Sequence, residues 1–292
     1  MRVLHVDTGR TMRGGQWQLL LLARGLRAHG VEQRFLVRGE LLARLRDEGF
    51  QAAEASLWAV LRARPTALTH AHDARAHSWA VLARKRPLIV ARRVAFPVKT
   101  GLLSRVKYKR ADLYIAVSQY VGRCLTDAGV EPSKIRVVYD GGEAVPPTSP
   151  TAAGVILAPH FDDPQKGSVI LKETGLDVKF SRSIKTDLAQ AKVFVYLTRE
   201  EGLGSAALLA QAAGVPVVAS RVGGLPEIVV HEETGLLTGN DPAAVRAAVN
   251  RLLADPELSR RLAANARRRF DERFTVDCMV DATLAVYREL AL

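Results

Sequence analysis

Cysteine is almost absent from this chain: Cys124 and Cys278 are the only two among 292 residues, far apart and in unrelated contexts. That excludes a disulfide framework and a cysteine-based zinc site, and makes a reducing cytoplasm the expectation. Aromatic residues are scarce too, at 6%, which leaves little for stacking on single-stranded nucleic acid. No apolar run reaches about 18 residues, so no spanning helix is expected. The start, Arg2-Val3-Leu4-His5-Val6-Asp7, turns polar too soon for a secretory signal. One stretch lacks acid altogether: Arg84 to Arg110 holds ten Lys or Arg and no Asp or Glu.

That stretch nearly accounts for the formal charge of +12, so the imbalance is a local patch. Three readings of it stay open: an anionic membrane surface, nucleic acid, or a solvated face. The patch contains only Phe96 and Tyr108 as aromatic platforms, so nucleic acid is not expected as a partner and the membrane surface is favoured. With 48% hydrophobic and 25% charged residues the chain reads as globular, long enough for two domains.

Short apolar runs alternate with helical patterns, which predicts a parallel α/β architecture. In the first half strands are expected at residues 2–7, 33–37, 68–72, 88–91, 113–118 and 135–138, with helices at 16–29, 41–48, 76–83 and 119–128. Residues 140–150, with three prolines and two glycines, break the pattern and read as a hinge. The expected division is residues 1–141, a linker at 142–153, a second domain at 154–274, and a closing helix at 275–292.

Chemistry concentrates in the second half. Glu201-Gly202-Leu203-Gly204-Ser205 leads into a helix of small residues, then Gly214 and a buried strand. A helix entered through Gly-x-Gly offers bare N–H groups and a partial positive charge to a phosphate. Glu201, just before the turn, suits the hydroxyls of whatever carries that phosphate. Arg221-Val222-Gly223-Gly224-Leu225-Pro226-Glu227 and Glu233-Thr234-Gly235-Leu236-Leu237 follow. The whole run resembles the donor-binding half of family 4 glycosyltransferases, retaining enzymes of GT-B fold, and the likeness extends over most of the chain.

The resemblance implies two Rossmann-like domains facing across a cleft, a nucleotide-sugar donor, a glycan or lipid-linked acceptor, and no metal or other cofactor. It implies that Glu201 orients the donor sugar and that Lys166 neutralises the departing diphosphate. Gly202, Leu203, Gly204, Ser205, His160 and Glu227 fall on the donor side, with Gly14 and Gly15 near the donor phosphates. Arg92, Arg93 and Ser118 fall on the acceptor side. His72, from its own place at the end of a strand, is read as a catalytic residue that lines the cleft and polarises the acceptor hydroxyl. Each keeps a plainer reading. Gly14-Gly15 also suits a tight turn needing positive φ, and Ser118 a helix N-cap. His70 and His72 share a strand face, which formally permits a metal, yet no third ligand is evident.

The sequence departs from the family at three places. His160 stands where the family has arginine, and it cannot form a guanidinium fork. The family's second motif glutamate, separated from the first by seven residues, falls on Leu209 here; losing the ribose hydrogen bonds that the resemblance assigns to it is expected to cost donor binding about 2–3 kcal/mol. Between Lys166 and Asp187 roughly one βα unit is expected to be missing, so the second domain is shortened. These departures keep a rival open: an impaired relative that binds a glycan, a lipid head group or a partner enzyme. A nucleotide-sugar epimerase is a second alternative.

Overall fold

The computed structural model describes residues 1–64, 66–95, 101–143, 145–146, 154–160 and 167–290. The chain divides into two compact units, Met1–Gly141 with Val276–Leu292, and Gly142–Thr275.

The first unit is built on seven parallel strands in the order β3-β2-β1-β4-β5-β6-β7. They are β1 (Arg2–Val6), β2 (Glu32–Val37), β3 (Gln51–Glu54), β4 (Leu68–Ala71), β5 (Leu88–Arg92), β6 (Leu113–Ala116) and β7 (Ile135–Val137). Between them run α1 (Gly14–Ala28), α2 (Gly39–Asp47), α3 (Leu57–Arg62), α4 (Ala74–Leu82), α5 (Leu102–Lys109) and α6 (Gln119–Asp127). Central strands such as β4 and β6 are buried along their whole length, as expected of a parallel sheet covered by helices. The strand order reverses between β1 and β4, so the loops that leave their carboxyl ends diverge and open a crevice. Strand β3 and helices α3 and α5 escape the sequence pattern: β3 is only Gln-Ala-Ala-Glu, and α5 lies inside the basic run.

The second unit holds β8 (Val155–Pro159), β9 (Val178–Ser181), β10 (Ala191–Tyr196), β11 (Val217–Ser220) and β12 (Leu236–Thr238), all parallel, in the order β12-β11-β10-β8-β9. Its helices are α7 (Ser168–Glu173), α8 (Ile184–Asp187), α9 (Ser205–Ala212), α10 (Leu225–Ile228), α11 (Pro242–Ala254) and α12 (Pro256–Arg273). The second unit is compact, as expected: between residues 168 and 187 stand a six-residue helix, the four-residue strand β9 at the expected place, and a four-residue helix. Alternate residues Val193, Val195 and Leu197 pack with Val218, Leu236, Val245 and Val249 into this unit's core.

The closing helix, α13 (Val276–Leu290), belongs to the first unit. Met279, Val280, Leu284 and Tyr287 pack with Leu22, Leu26 and Ile89 in its core. Close approach explains one glycine of α1: a Cβ at Gly25 would lie 2.3 Å from Val280 Cγ2.

Candidate functional site

Two constellations of polar groups form, one in each unit, both at the carboxyl ends of strands. In the second unit the order reverses at β8, and the loops after β8 and β10 border that switch point. The loop after β10 carries Glu201. Thr198 N donates to Ser220 Oγ at 2.9 Å, Ser220 Oγ to Asn240 Oδ1 at 2.6 Å, and Asn240 Nδ2 back to Thr198 O at 2.9 Å. This ring fixes the start of the loop. Glu201 itself is held through both carboxylate oxygens: the Tyr196 hydroxyl reaches Oε2 at 2.6 Å and the Gly202 N–H reaches Oε1 at 3.0 Å.

The Gly223-Gly224 turn supports the same loop from below. Gly224 N donates to Glu201 O at 3.0 Å. A Cβ at Gly223, whose φ is +57°, would lie 2.0 Å from Glu201 O, and one at Gly224 would lie 2.1 Å from Gly202 O. Only glycine permits this backbone contact. Gly204 is the N-cap of α9, in the left-handed region, and no side chain caps the helix or adds an acid to its first turn. Gly202, Leu203 and Gly204 are buried while Ser205 is half-exposed. Along α9, Leu209 is partly exposed, whereas Gln211 is fully buried with its Nε2 donating to Ile228 O. Glu227 is half-buried in α10, and its carbonyl accepts from Arg269.

After β8, His160 N donates to Ser181 O, and its Nε2 stands 2.6 Å from Arg182 Nη2. A guanidinium is therefore beside the position where the sequence lacks one. Arg182 gave no signal in the sequence, because it lies on a different strand's exit. Lys166 falls outside the described residues. Its neighbour Gly167, at φ +76°, packs against Leu197, where a Cβ would approach within 2.4 Å.

In the first unit, Asp7 leaves β1 and accepts from Gly9 N at 2.8 Å and Gln16 Nε2 at 3.0 Å. Burial, and then the Asp73 charge, push its carboxyl up from the usual range. Asp73 caps α4 and also receives the Thr8 N–H and hydroxyl, which stitches the two crevice loops together. Gly14 and Gly15 are simply the first residues of α1, and neither has positive φ; the tight-turn reading is corrected. Ser118 is fully buried and its Oγ accepts from Val121 N, so it is the N-cap of α6.

His70 and His72 do share a face, and the structure adds the third histidine that the sequence did not reveal. His5 on β1 lies opposite His70 on β4, and one nitrogen from each of the three falls within 4.8 Å of the others. Hydrogen-bond polarity already occupies two of them. Arg93 can only donate, and its Nη1 faces His72 Nδ1 at 3.4 Å. His72 Nε2 then carries the proton and donates to His5 Nδ1 at 3.0 Å. His70 Nδ1 contacts the Tyr287 hydroxyl at 2.7 Å. Burial first, then neighbouring charge, hold His70 and His72 well below the ordinary imidazole range, and burial brings His5 to about 3. All three rings are neutral near pH 7.

Arg93 continues the chain to Asp140, Nε to Oδ1 at 3.1 Å. Its sequence neighbour Arg92 points the other way, beside His77 and Tyr108. The basic run therefore does not form one face. Arg84, Arg86, Arg105, Lys109 and Arg110 are exposed, whereas Lys107 turns inward to donate to Ala74 O and Ser78 Oγ; Lys99 lies outside the described residues. Among the described residues no helix is long and apolar enough to cross a membrane.

A model of Glycosyltransferase Family 4 matches residues 12–142, and one of Glycosyl transferases group 1 matches residues 175–269. Among curated proteins, the alpha-maltose-1-phosphate synthase of Mycolicibacterium smegmatis is 39% identical over 118 residues, 38% of this chain and 30% of that protein. The D-inositol 3-phosphate glycosyltransferase of Streptomyces bingchenggensis is 42% identical over 100 residues, 34% of this chain and 22% of that protein. The chain thus matches under a third of the length of these curated relatives. Among solved structures, Anabaena HepE in complex with UDP superimposes with a TM-score of 0.85 at 19% identity, covering 99% of this chain and 100% of that one. A glycosyltransferase from Rickettsia africae gives 0.84 at 17% identity, covering 99% and 98%.

Proposed function

Because this chain belongs to the family 4 glycosyltransferases and has their GT-B fold, we propose that it transfers a sugar from a nucleotide-sugar to a hydroxyl of a glycan or lipid-linked acceptor, with retention of configuration. The carrying observation is the fixed Glu201 carboxylate beside the uncapped start of α9, at the switch point of the second sheet. In this reading the carboxylate receives the hydroxyls of the donor sugar, and the amides at Gly202–Ser205 receive the distal phosphate. Anabaena HepE was solved with UDP, with UDP and glucose, and with UDP-glucose, which makes uridine donors the first to test. Lys166 stabilises the leaving diphosphate, and Arg182 adds the guanidinium that His160 lacks. Preorganised charge of this kind usually contributes more than anything else to the rate of such transfers. His72 and Arg93 serve the acceptor side. No metal is required.

The exposed cations at Arg84, Arg86, Arg105, Lys109 and Arg110 would hold the enzyme at the inner face of an anionic membrane where its acceptor resides. A panel of nucleotide-sugars, scored by thermal shift and by transfer with the product anomer read by NMR, tests the proposal. At least one donor is expected to stabilise the protein and be consumed, and Glu201→Gln to lower kcat by about 100-fold. If no donor binds while glycans or anionic vesicles do, the chain is a binding relative instead, as Leu209 in place of the second glutamate allows. Product formed from donor alone identifies an epimerase.

A further inference from the structure

Tyr196 ends β10 as a core residue, 4% exposed, its ring stacked 6.4 Å from Phe194. Phenylalanine would fill the same space without a buried hydroxyl to satisfy. The hydroxyl donates to Glu201 Oε2 at 2.6 Å, a short bond to a charged acceptor. We infer that Tyr196 is the positioning residue for Glu201, which rests on the donor-binding reading above. The phenol reaches across the loop of residues 197–200 and fixes one carboxylate oxygen while the Gly202 amide fixes the other. A carboxylate oxygen accepts more than one hydrogen bond, so both can still receive a ligand hydroxyl. Burial, and then the Glu201 charge, push the phenol well above its ordinary range, so it remains a donor throughout the physiological range. The carboxylate's freedom is thereby removed before a donor arrives, which is where positioning gains its rate advantage.

The experiment compares Tyr196→Phe, Glu201→Gln and the double variant, using UDP and UDP-glucose, or the matching pair for whichever base the donor panel selects. Tyr196→Phe is expected to keep UDP affinity, to lose affinity for the sugar-bearing donor, and to lower kcat about tenfold. The double variant should be no worse than Glu201→Gln, because both changes remove one unit. Equal loss of UDP and UDP-glucose affinity, or additive losses in the double variant, would overturn the inference. A readout independent of activity is the Tyr196 hydroxyl proton, expected as a downfield NMR resonance that vanishes in Tyr196→Phe and in Glu201→Ala. Should the wild type transfer nothing, that signal still decides: present, the positioning contact stands and only the donor reading fails; absent, the contact itself is refuted.

Discussion

Replacing Gly223 with alanine tests the loop geometry most sharply. The residue sits at φ +57°, and a Cβ there would lie 2.0 Å from Glu201 O. Real Cβ contacts stay beyond 3.0 Å, so the carbonyl must retreat by about 1 Å. Left-handed backbone costs alanine roughly 1–2 kcal/mol, and losing the Gly224 N–H bond to the displaced carbonyl adds about 1 kcal/mol. The sum, about 2–3 kcal/mol, lowers the Tm of a unit this size by roughly 10 °C. A shift of about 1 Å in Glu201 costs on the order of 100-fold in turnover, well beyond the stability effect if assays run below the transition. Gly214→Ala supplies the control. It has φ +70°, and a Cβ there would meet nothing within 4 Å, so it carries the backbone cost alone and should keep full donor affinity. If Gly223→Ala behaves like Gly214→Ala in both Tm and donor affinity, the claim that this turn sets Glu201 is wrong.

Three further outcomes are expected. Leu209→Glu should tighten donor binding at least tenfold, since Leu209 is partly exposed on α9 and a carboxylate there regains charge-assisted bonds; unchanged affinity with an intact fold would show that this face of α9 meets no ribose. Acid should destabilise the first unit. His5 and His77 are lowered to about 3, mainly by burial, so below about pH 6.5 the unfolded chain takes up protons that the folded one refuses. Stability then falls by about 1.4 kcal/mol per pH unit for each such histidine until pH nears 3. Urea unfolding of His77→Phe between pH 7 and 5 should show a shallower slope than wild type, and parallel slopes would contradict the burial argument. Finally, reversing Arg105, Lys109 and Arg110 to Glu should weaken binding to phosphatidylserine vesicles by at least tenfold at low salt, an effect that uncharged vesicles do not show.

Much of the fold was legible because buried parallel strands announce themselves as short apolar runs: β1, β2, β4, β5, β6, β7 and β11 stand close to their expected places. Strand β3 has no large apolar residue and α5 is masked by its lysines, so periodicity had nothing to report there. The site was read in proportion to how local its signals are. Glu201, Gly204 and the Gly223-Gly224 turn lie within one continuous motif. His5, Asp73, Asp140 and Arg182 enter only through neighbours far away in sequence, and a strand's alternation tells which face a side chain takes, not which strand lies beside it. His5 meets His70 solely through the β1–β4 register. Tyr196 was hidden differently, since an aromatic residue in a buried strand reads as packing and its hydroxyl's target lies around a turn.

The return of α13 to the first unit has a bearing on biosynthesis. A ribosome delivers residues 1–141 long before Met279, Val280, Leu284 and Tyr287 emerge, and until then Leu22, Leu26 and Ile89 have a bare flank and His70 lacks its phenol partner. The second unit, contiguous from Gly142 to Thr275, faces no such delay. The nascent chain should therefore mature in reverse of the usual order, with the later-made lobe settled first and the earlier one waiting, sticky and open to chaperones, for the last few turns of helix to lock it shut.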